Sequence, residues 1–223
     1  CDTQRDLPPV DAIAAFGDDE TIRSIQDAHP NIPVAGYGHR FSVAFVSGDL
    51  DVAARCLALD VARYDTRGCM APTAVFTTGD PTALCERIAE EMAQCEARWP
   101  RGLVDPALGP EWRRRMGLAR VTGRVWRQDQ WAVTLTPTES FTPLALPRMV
   151  NVHPIEDASA FDLFFQPWRQ WLSTCGTDLP NHRPAGFHRV CALGWMQAPS
   201  FPRNHDGRPM LSGLHGAPGG ADA

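Results

Sequence analysis

Short apolar runs alternate with amphipathic stretches along most of this chain, and their spacing predicts an α/β fold. Residues 11–16 and 32–35 read as strands around a helix over 20–28, with Gly17 at the turn between the first strand and the helix. Residues 41–46 form an uninterrupted, largely apolar run that suits a buried strand. A helix follows over 50–64, with Val52, Cys56, Leu57, Leu59 and Val61 as its apolar side. The run Ala74-Val75-Phe76 predicts the next strand, and 81–98 the next helix, with Leu84, Ile88, Met92 and Cys95 on one face and Glu86, Glu90 and Glu91 on the wet side. Further along come a short basic helix over 111–119 and a ribbon of 119–126 and 130–135 turning at 127–129. A strand over 149–155 and a Phe- and Trp-rich helix over 159–173 follow.

Composition narrows the function classes. With 43% hydrophobic residues and a formal net charge of −5, the chain reads as a globule without a basic footprint for nucleic acid. It contains no apolar run long enough for a membrane span, and its first residues do not resemble a secretory signal, so the cytoplasm is the expected compartment. Neither a GxGxxG nor a Walker sequence occurs. Asp18 or Asp19 can cap the first helix, and the acids Asp18, Asp19 and Glu20 suit its positive end but repel phosphate, so capping explains them better than a dinucleotide grip. The seven cysteines lack the dense spacing of a secreted scaffold and read as thiols. Cys175, His182, His188 and Cys191 offer zinc-compatible side chains without a compact Cys-x-x-Cys pair, and no metal is expected. The chain opens without methionine, as a fragment or processed product would.

One cysteine stands apart by its surroundings. Asp65-Thr66-Arg67-Gly68-Cys69-Met70-Ala71 places Cys69 between a helix and a strand, where glycine permits a sharp turn and Arg67 can favour the thiolate electrostatically. Read locally, Cys69 is either a nucleophile or a small buried hydrophobe. His39 and Arg40, in Gly36-Tyr37-Gly38-His39-Arg40, are either anion contacts or a solvated pair at the entrance of a strand.

An ordered series of blocks resembles the bacterial acyl-CoA reductases that supply fatty aldehyde for luminescence, within the aldehyde dehydrogenase superfamily. The blocks are 14–21, 36–42, 65–72 and 195–199 through 205–208. The resemblance implies an α/β, aldehyde-dehydrogenase-like catalytic domain preceded by the last part of a Rossmann-like cofactor domain. It places the end of the cofactor domain at 1–40, the catalytic domain at 41–195, a returning segment that helps subunits associate at 196–214 and a flexible tail at 215–223. The family's first cofactor half lies upstream of such a segment, so the resemblance implies weak NADPH binding by the isolated 223 residues.

The same resemblance implies that Cys69 attacks a fatty acyl thioester, carried by CoA or by a protein. A reduced nicotinamide then delivers hydride, with NADPH favoured and NADH the alternative, and the backbone N–H at Cys69 steadies the oxyanion. Gly17, Gly36 and Gly38 are its implied cofactor neighbours, since small residues permit close approach. Aldehyde oxidisers of the superfamily carry a water-activating glutamate 33 positions before the thiol, where this chain has Gly36, which favours reduction over hydrolysis. The expected partners are a homo-oligomer and an acyl-transferase or acyl-activating protein, with no nucleic acid and no membrane span. Two other classes compete: a thiol acyl hydrolase or transferase using Cys69 with His39, and a noncatalytic truncated domain.

Overall fold

A short strand, a turn and an acid-led helix open the part of the chain that this computed structural model describes, residues 10–201 and 204–209. The chain divides into two compact units, the first comprising the segments up to His39 and from Phe201 onward, the second Arg40–Ser200. In the first unit β1 (Ile13–Phe16) and β2 (Val34–Tyr37) pair in parallel through α1 (Asp19–Ala28). Asp18 caps α1, its carboxylate accepting the Thr21 N–H at 2.7 Å, and those hydrogen bonds hold its pKa below the ordinary value. The second strand begins two residues later than its spacing predicts: Pro33 lacks an N–H and contributes only its carbonyl, which accepts from Ile13 N at 2.9 Å.

Residues 204–209 pack within this same unit. His205 and Arg208 exchange backbone hydrogen bonds across Asp206 (φ 48°) and Gly207 (φ 76°), the left-handed pair that a two-residue hairpin turn requires. Its side chains pack on β1 and β2: His205 lies edge-on to Phe16 and Tyr37, and the Arg208 guanidinium sits 5.0 Å from the Tyr37 ring centre and donates to Gly36 O at 2.9 Å. The tail expected at 215–223, Cys1 and the rest of the returning segment beyond residue 209 lie outside the described residues.

The second unit is a seven-stranded sheet in the order β5-β6-β7-β4-β3-β8-β9, parallel throughout except for the β5–β6 hairpin. Its strands are β3 (Phe41–Val46), β4 (Pro72–Thr77), β5 (Arg124–Arg127), β6 (Ala132–Leu135), β7 (Met149–Pro154), β8 (Leu172–Thr177) and β9 (Arg189–Ala192). The helices are α2 (Leu50–Ala62), α3 (Pro81–Arg98), α4 (Gly109–Thr122) and α5 (Ala158–Phe164). Alternation within β3 sets the two cores. Ala44 and Val46 face Leu57 and Val61 of α2 and Ile88 and Met92 of α3, whereas Val43 and Phe45 face a phenylalanine cluster of Phe76, Phe141, Phe161 and Phe165.

Four expectations need correction. The ribbon strand predicted over 119–126 is only Arg124–Arg127, because α4 continues through Thr122 to its cap at Gly123. The helix predicted over 159–173 ends at Phe164, because Pro167 cannot continue it. A 3-10 segment takes over from Gln166 to Trp171, and 172–177 becomes β8. That strand escapes an apolar-run test because Ser173, Thr174 and Thr177 fill buried positions in it, and the four-residue β9 beside it was also not predicted. On α2 the buried side is Ala53, Ala54, Leu57, Ala58 and Val61, while Val52 is 57% exposed. Alanines let the helix approach the sheet closely, so the larger valine is not the residue that marks the core face.

Candidate active site

Chain path determines where Cys69 is displayed. β3, α2 and β4 form a parallel crossover, and the segment between Ala62 and Pro72 must reverse direction at the amino-terminal edge of the sheet. It does so with two consecutive left-handed residues, Asp65 (φ 54°) and Thr66 (φ 59°), followed by a tight turn in which Ala71 N donates to Gly68 O at 3.0 Å. Cys69 sits within that turn, half-buried. Its carbonyl accepts a 2.5 Å hydrogen bond from Ser42 Oγ, which in turn accepts from Thr174 N at 2.9 Å. Ser42 is completely buried, so its bond from Thr174 N is shielded from water, and its bond to the half-buried Cys69 carbonyl is shielded in part.

The other described cysteines occupy different environments. Cys56 lies on α2, Cys85 and Cys95 on α3, Cys175 on β8 and Cys191 on β9, and burial raises the pKa of each above the ordinary thiol value, that of Cys191 to about 11. Cys69 is the one described cysteine outside any helix or strand. Arg67 is exposed, and its guanidinium donates to the Leu103 carbonyl.

Gly17 follows β1 and Gly38 follows β2, so both stand at the carboxyl ends of a parallel strand pair, where open α/β sheets receive ligands. Gly36 lies inside β2, and a Cβ there would come within 2.6 Å of Ile22 Cγ2. At Gly38 the nearest atom to such a Cβ is Asp19 Oδ1, at 2.3 Å. Close approach by α1 is thus a sufficient packing reason for a glycine at position 36. His39 belongs to the first unit and Cys69 to the second. Of the four zinc-compatible residues, Cys175 and Cys191 lie on adjacent strands, His182 Nε2 pairs with Asp162 at 2.8 Å, and the backbone N–H of His188 binds Ser173 O. Among the described residues no group of three or more His, Cys, Asp or Glu could hold a metal, and no helix is long and apolar enough to cross a membrane.

Several supports of the Cys69 turn were not singled out from the sequence. Arg148, 2% exposed, donates from Nε to Asp65 Oδ1 at 2.6 Å and from Nη1 to Glu96 Oε2 at 2.5 Å. Asp60, buried on α2, accepts from Gly194 N at 2.6 Å and from Met196 N at 3.0 Å, and desolvation pushes its pKa up to about 6 despite those bonds. It thereby fixes the segment that carries Gln197, whose Oε1 would lie 3.5 Å from a Cβ at Gly68. The available signals were a charged residue next to an apolar run, Arg148 before Met149-Val150, and a carboxylate among the apolar positions of α2.

Comparison with known proteins gives the family and the fold. The family described as acyl-CoA reductase (LuxC) matches residues 5–216. A long-chain acyl-protein thioester reductase of Aliivibrio fischeri is 24% identical over 162 residues, covering 70% of this chain and 34% of the relative. A second such reductase, of Photobacterium leiognathi, is 21% identical over 156 residues, covering 67% and 33%. The chain therefore spans about a third of the length of these curated relatives. Among solved structures, an NADP-dependent glyceraldehyde-3-phosphate dehydrogenase of Bacillus halodurans superposes with a TM-score of 0.69 at 13% identity, covering 92% of this chain and 50% of that one. An NAD-dependent aldehyde dehydrogenase of Burkholderia multivorans gives 0.63 at 13% identity, covering 83% and 41%. The fold is that of an aldehyde dehydrogenase.

Proposed function

The chain belongs to the acyl-CoA reductase (LuxC) family, and from that premise we propose that it carries the nucleophile of a reductase converting a long-chain acyl thioester to the fatty aldehyde. The observation that carries the assignment to Cys69 is its place on a turn tied by Ser42, while the other described thiols lie within helices and strands, where burial raises their pKa. The Cys69 thiolate attacks the thioester carbonyl, a new carbon–sulfur bond forms and the donor thiol departs, leaving an acyl-enzyme. The backbone N–H at Cys69 steadies the oxyanion of that step. A reduced nicotinamide, NADPH or alternatively NADH, supplies the hydride when bound, and Cys69 then leaves as thiolate to free the aldehyde.

Gly17 and Gly38 suit the nicotinamide and ribose part of such a cofactor, because both stand at carboxyl ends of parallel strands. We assign Gly36 the same neighbourhood with less room for contact, since Ile22 fills its side-chain direction. The α1 entrance does not suit the phosphates: the Asp18 carboxylate already caps it through the Thr21 N–H, and Asp19 and Glu20 add like charge. With Gly36 in the place of a water-activating glutamate, the acyl-enzyme awaits hydride or another thiol. A protein-borne acyl group is the favoured donor, as the names of both curated relatives suggest, with acyl-CoA the alternative. The same reading carries an acyl-activating or acyl-transferring partner and a homo-oligomer.

Incubation with a labelled long-chain acyl thioester followed by peptide mass spectrometry is the test. The label is expected on Cys69, lost in Cys69→Ala and nearly lost in Cys69→Ser with the fold preserved. A label on Cys56 or Cys85 instead would overturn the assignment.

A further inference from the structure

The Cys69 turn is anchored by a buried arginine that no sequence block points to. After α2 ends at Ala62 the chain turns through Asp65 and Thr66, both with positive φ. Aspartate tolerates that conformation, whereas a β-branched threonine resists it, so the surroundings must hold the turn in place. Thr66 N and Oγ1 both bind Val61 O, at 3.1 and 3.3 Å. The Asp65 carboxylate is held at both oxygens, by Arg148 Nε at 2.6 Å and by Gly102 N at 3.0 Å. Arg148 also donates from Nη2 to Ala62 O at 3.3 Å, so one guanidinium grips the last helical residue and the turn three residues later. Its third tie, to Glu96, leads away to the last turn of α3.

We infer that the Asp65–Arg148 pair is the positioning element of Cys69: it fixes the left-handed turn from which the thiol is presented, while Glu96 only anchors the arginine. The inference rests on Cys69 being the nucleophile. The two carboxylates are otherwise closely matched. Asp65 accepts from Arg148 and from the Gly102 N–H, Glu96 from Arg148 and from the Arg101 N–H, and their side chains are 15% and 18% exposed. Removing either costs the protein comparable bonds. Only removal of Asp65 reaches the nucleophile's turn.

The test compares Asp65→Ala with Glu96→Ala in the protein. Both are expected to lower the thermal midpoint by similar amounts. In Asp65→Ala the released thiol should react with iodoacetamide at least threefold faster, and the maximal rate of Cys69 acylation by an acyl thioester should fall at least tenfold. The half-saturating thioester concentration should stay within twofold. In Glu96→Ala both rates should stay within twofold of the unsubstituted protein. Should an alanine variant fail to fold, Asp65→Asn and Glu96→Gln carry the same comparison, with threefold against no change in acylation as the criterion. Equal effects at the two positions, or an Asp65 variant within twofold of the unsubstituted protein in both reactions, would overturn the inference. An unsubstituted protein that takes no acyl label at Cys69 defeats the nucleophile assignment instead, and the alkylation arm still decides the clamp.

Discussion

The Cys69 turn and the Gly36–Gly38 segment both contain glycine and both follow or end an element of a parallel α/β unit, yet they are held by different forces. Polar groups converge on the first: Ser42 on the Cys69 carbonyl, Arg148 and Gly102 on Asp65, and Val61 on Thr66. The second is held by shape, with Ile22 of α1 filling the space beside Gly36, and by the Arg208 bond to the Gly36 carbonyl. A turn determined by hydrogen bonds keeps a reactive atom in one place, since losing the bonds of Ser42, Thr66 or Arg148 takes a partner from a buried group. A strand end determined by packing against a helix has room to give wherever the neighbouring side chain is flexible.

The sharpest way to break the first half of that contrast is Ser42→Ala. It takes the Ser42 hydroxyl from the half-buried Cys69 carbonyl and from the buried Thr174 N–H, at about 1–3 kcal/mol each. Denaturant unfolding should therefore show a loss of about 2–6 kcal/mol. Acylation of Cys69 should slow even at temperatures where the variant is fully folded. A variant as stable as the original would mean that Ser42 does not hold the turn.

Asp60 gives a pH-dependent version of the same test. Its folded pKa of about 6 lies above the unfolded value of 3.8, so the folded state binds more protons between those values and this carboxyl's contribution to stability declines as pH rises through the window. At ~1.36 kcal/mol per unit, the decline amounts to on the order of 3 kcal/mol. Asp60→Asn should remove that dependence, so that the original protein is more stable relative to the variant at pH 4 than at pH 7. Unfolding midpoints of the two proteins, compared from pH 4 to 7, decide it, and parallel curves would refute the assignment.

The fold was largely legible in the chain because hydrophobic spacing sets it. Phe41–Val46 and the helix from Pro81 to Arg98 lie where their patterns predict, and Leu84, Ile88, Met92 and Cys95 do face the core. What periodicity cannot express is a strand whose burial is tolerated because its small polar residues fit between neighbouring strands, as in Leu172–Thr177. The position of Cys69 was legible for a local reason, a glycine and a cysteine between helix and strand. Its supports were not: Arg148 is 79 positions away and Ser42 27 positions away, and only the folded topology brings them to the turn. Long-range polar pairs leave no periodic trace in a sequence.

For the packed segment, Gly36→Ala should cost about 1–3 kcal/mol, because its Cβ would come within 2.6 Å of Ile22 Cγ2. Pairing it with Ile22→Ala should recover part of that loss, measured as coupling in a double-mutant cycle of unfolding free energies. The cycle also sets the terms for introducing a carboxylate at this position. Gly36→Glu alone would be expected to disturb α1, so its acyl-enzyme hydrolysis is informative only beside Ile22→Ala. Additive costs would mean that the side-chain space at position 36 is open and that the glycine answers to something other than α1.

Gly38 should show the smallest effect on stability and the most specific effect on function. The atom nearest an added Cβ is Asp19 Oδ1, the far end of an exposed side chain that can rotate away, so Gly38→Ala should change stability by less than about 0.5 kcal/mol. If the glycine instead serves the approach of a nicotinamide cofactor at the carboxyl end of β2, the same methyl should weaken NADPH binding several-fold while the unfolding curve stays put. Calorimetric titration makes the comparison, with Ile22→Ala as the packing control and with a chain as long as the curated relatives, of which these residues span about a third. A Gly38→Ala variant that binds NADPH as tightly as the original would remove this strand end from the cofactor site, whereas weakened binding at unchanged stability would separate a glycine kept for a ligand from one kept for a helix.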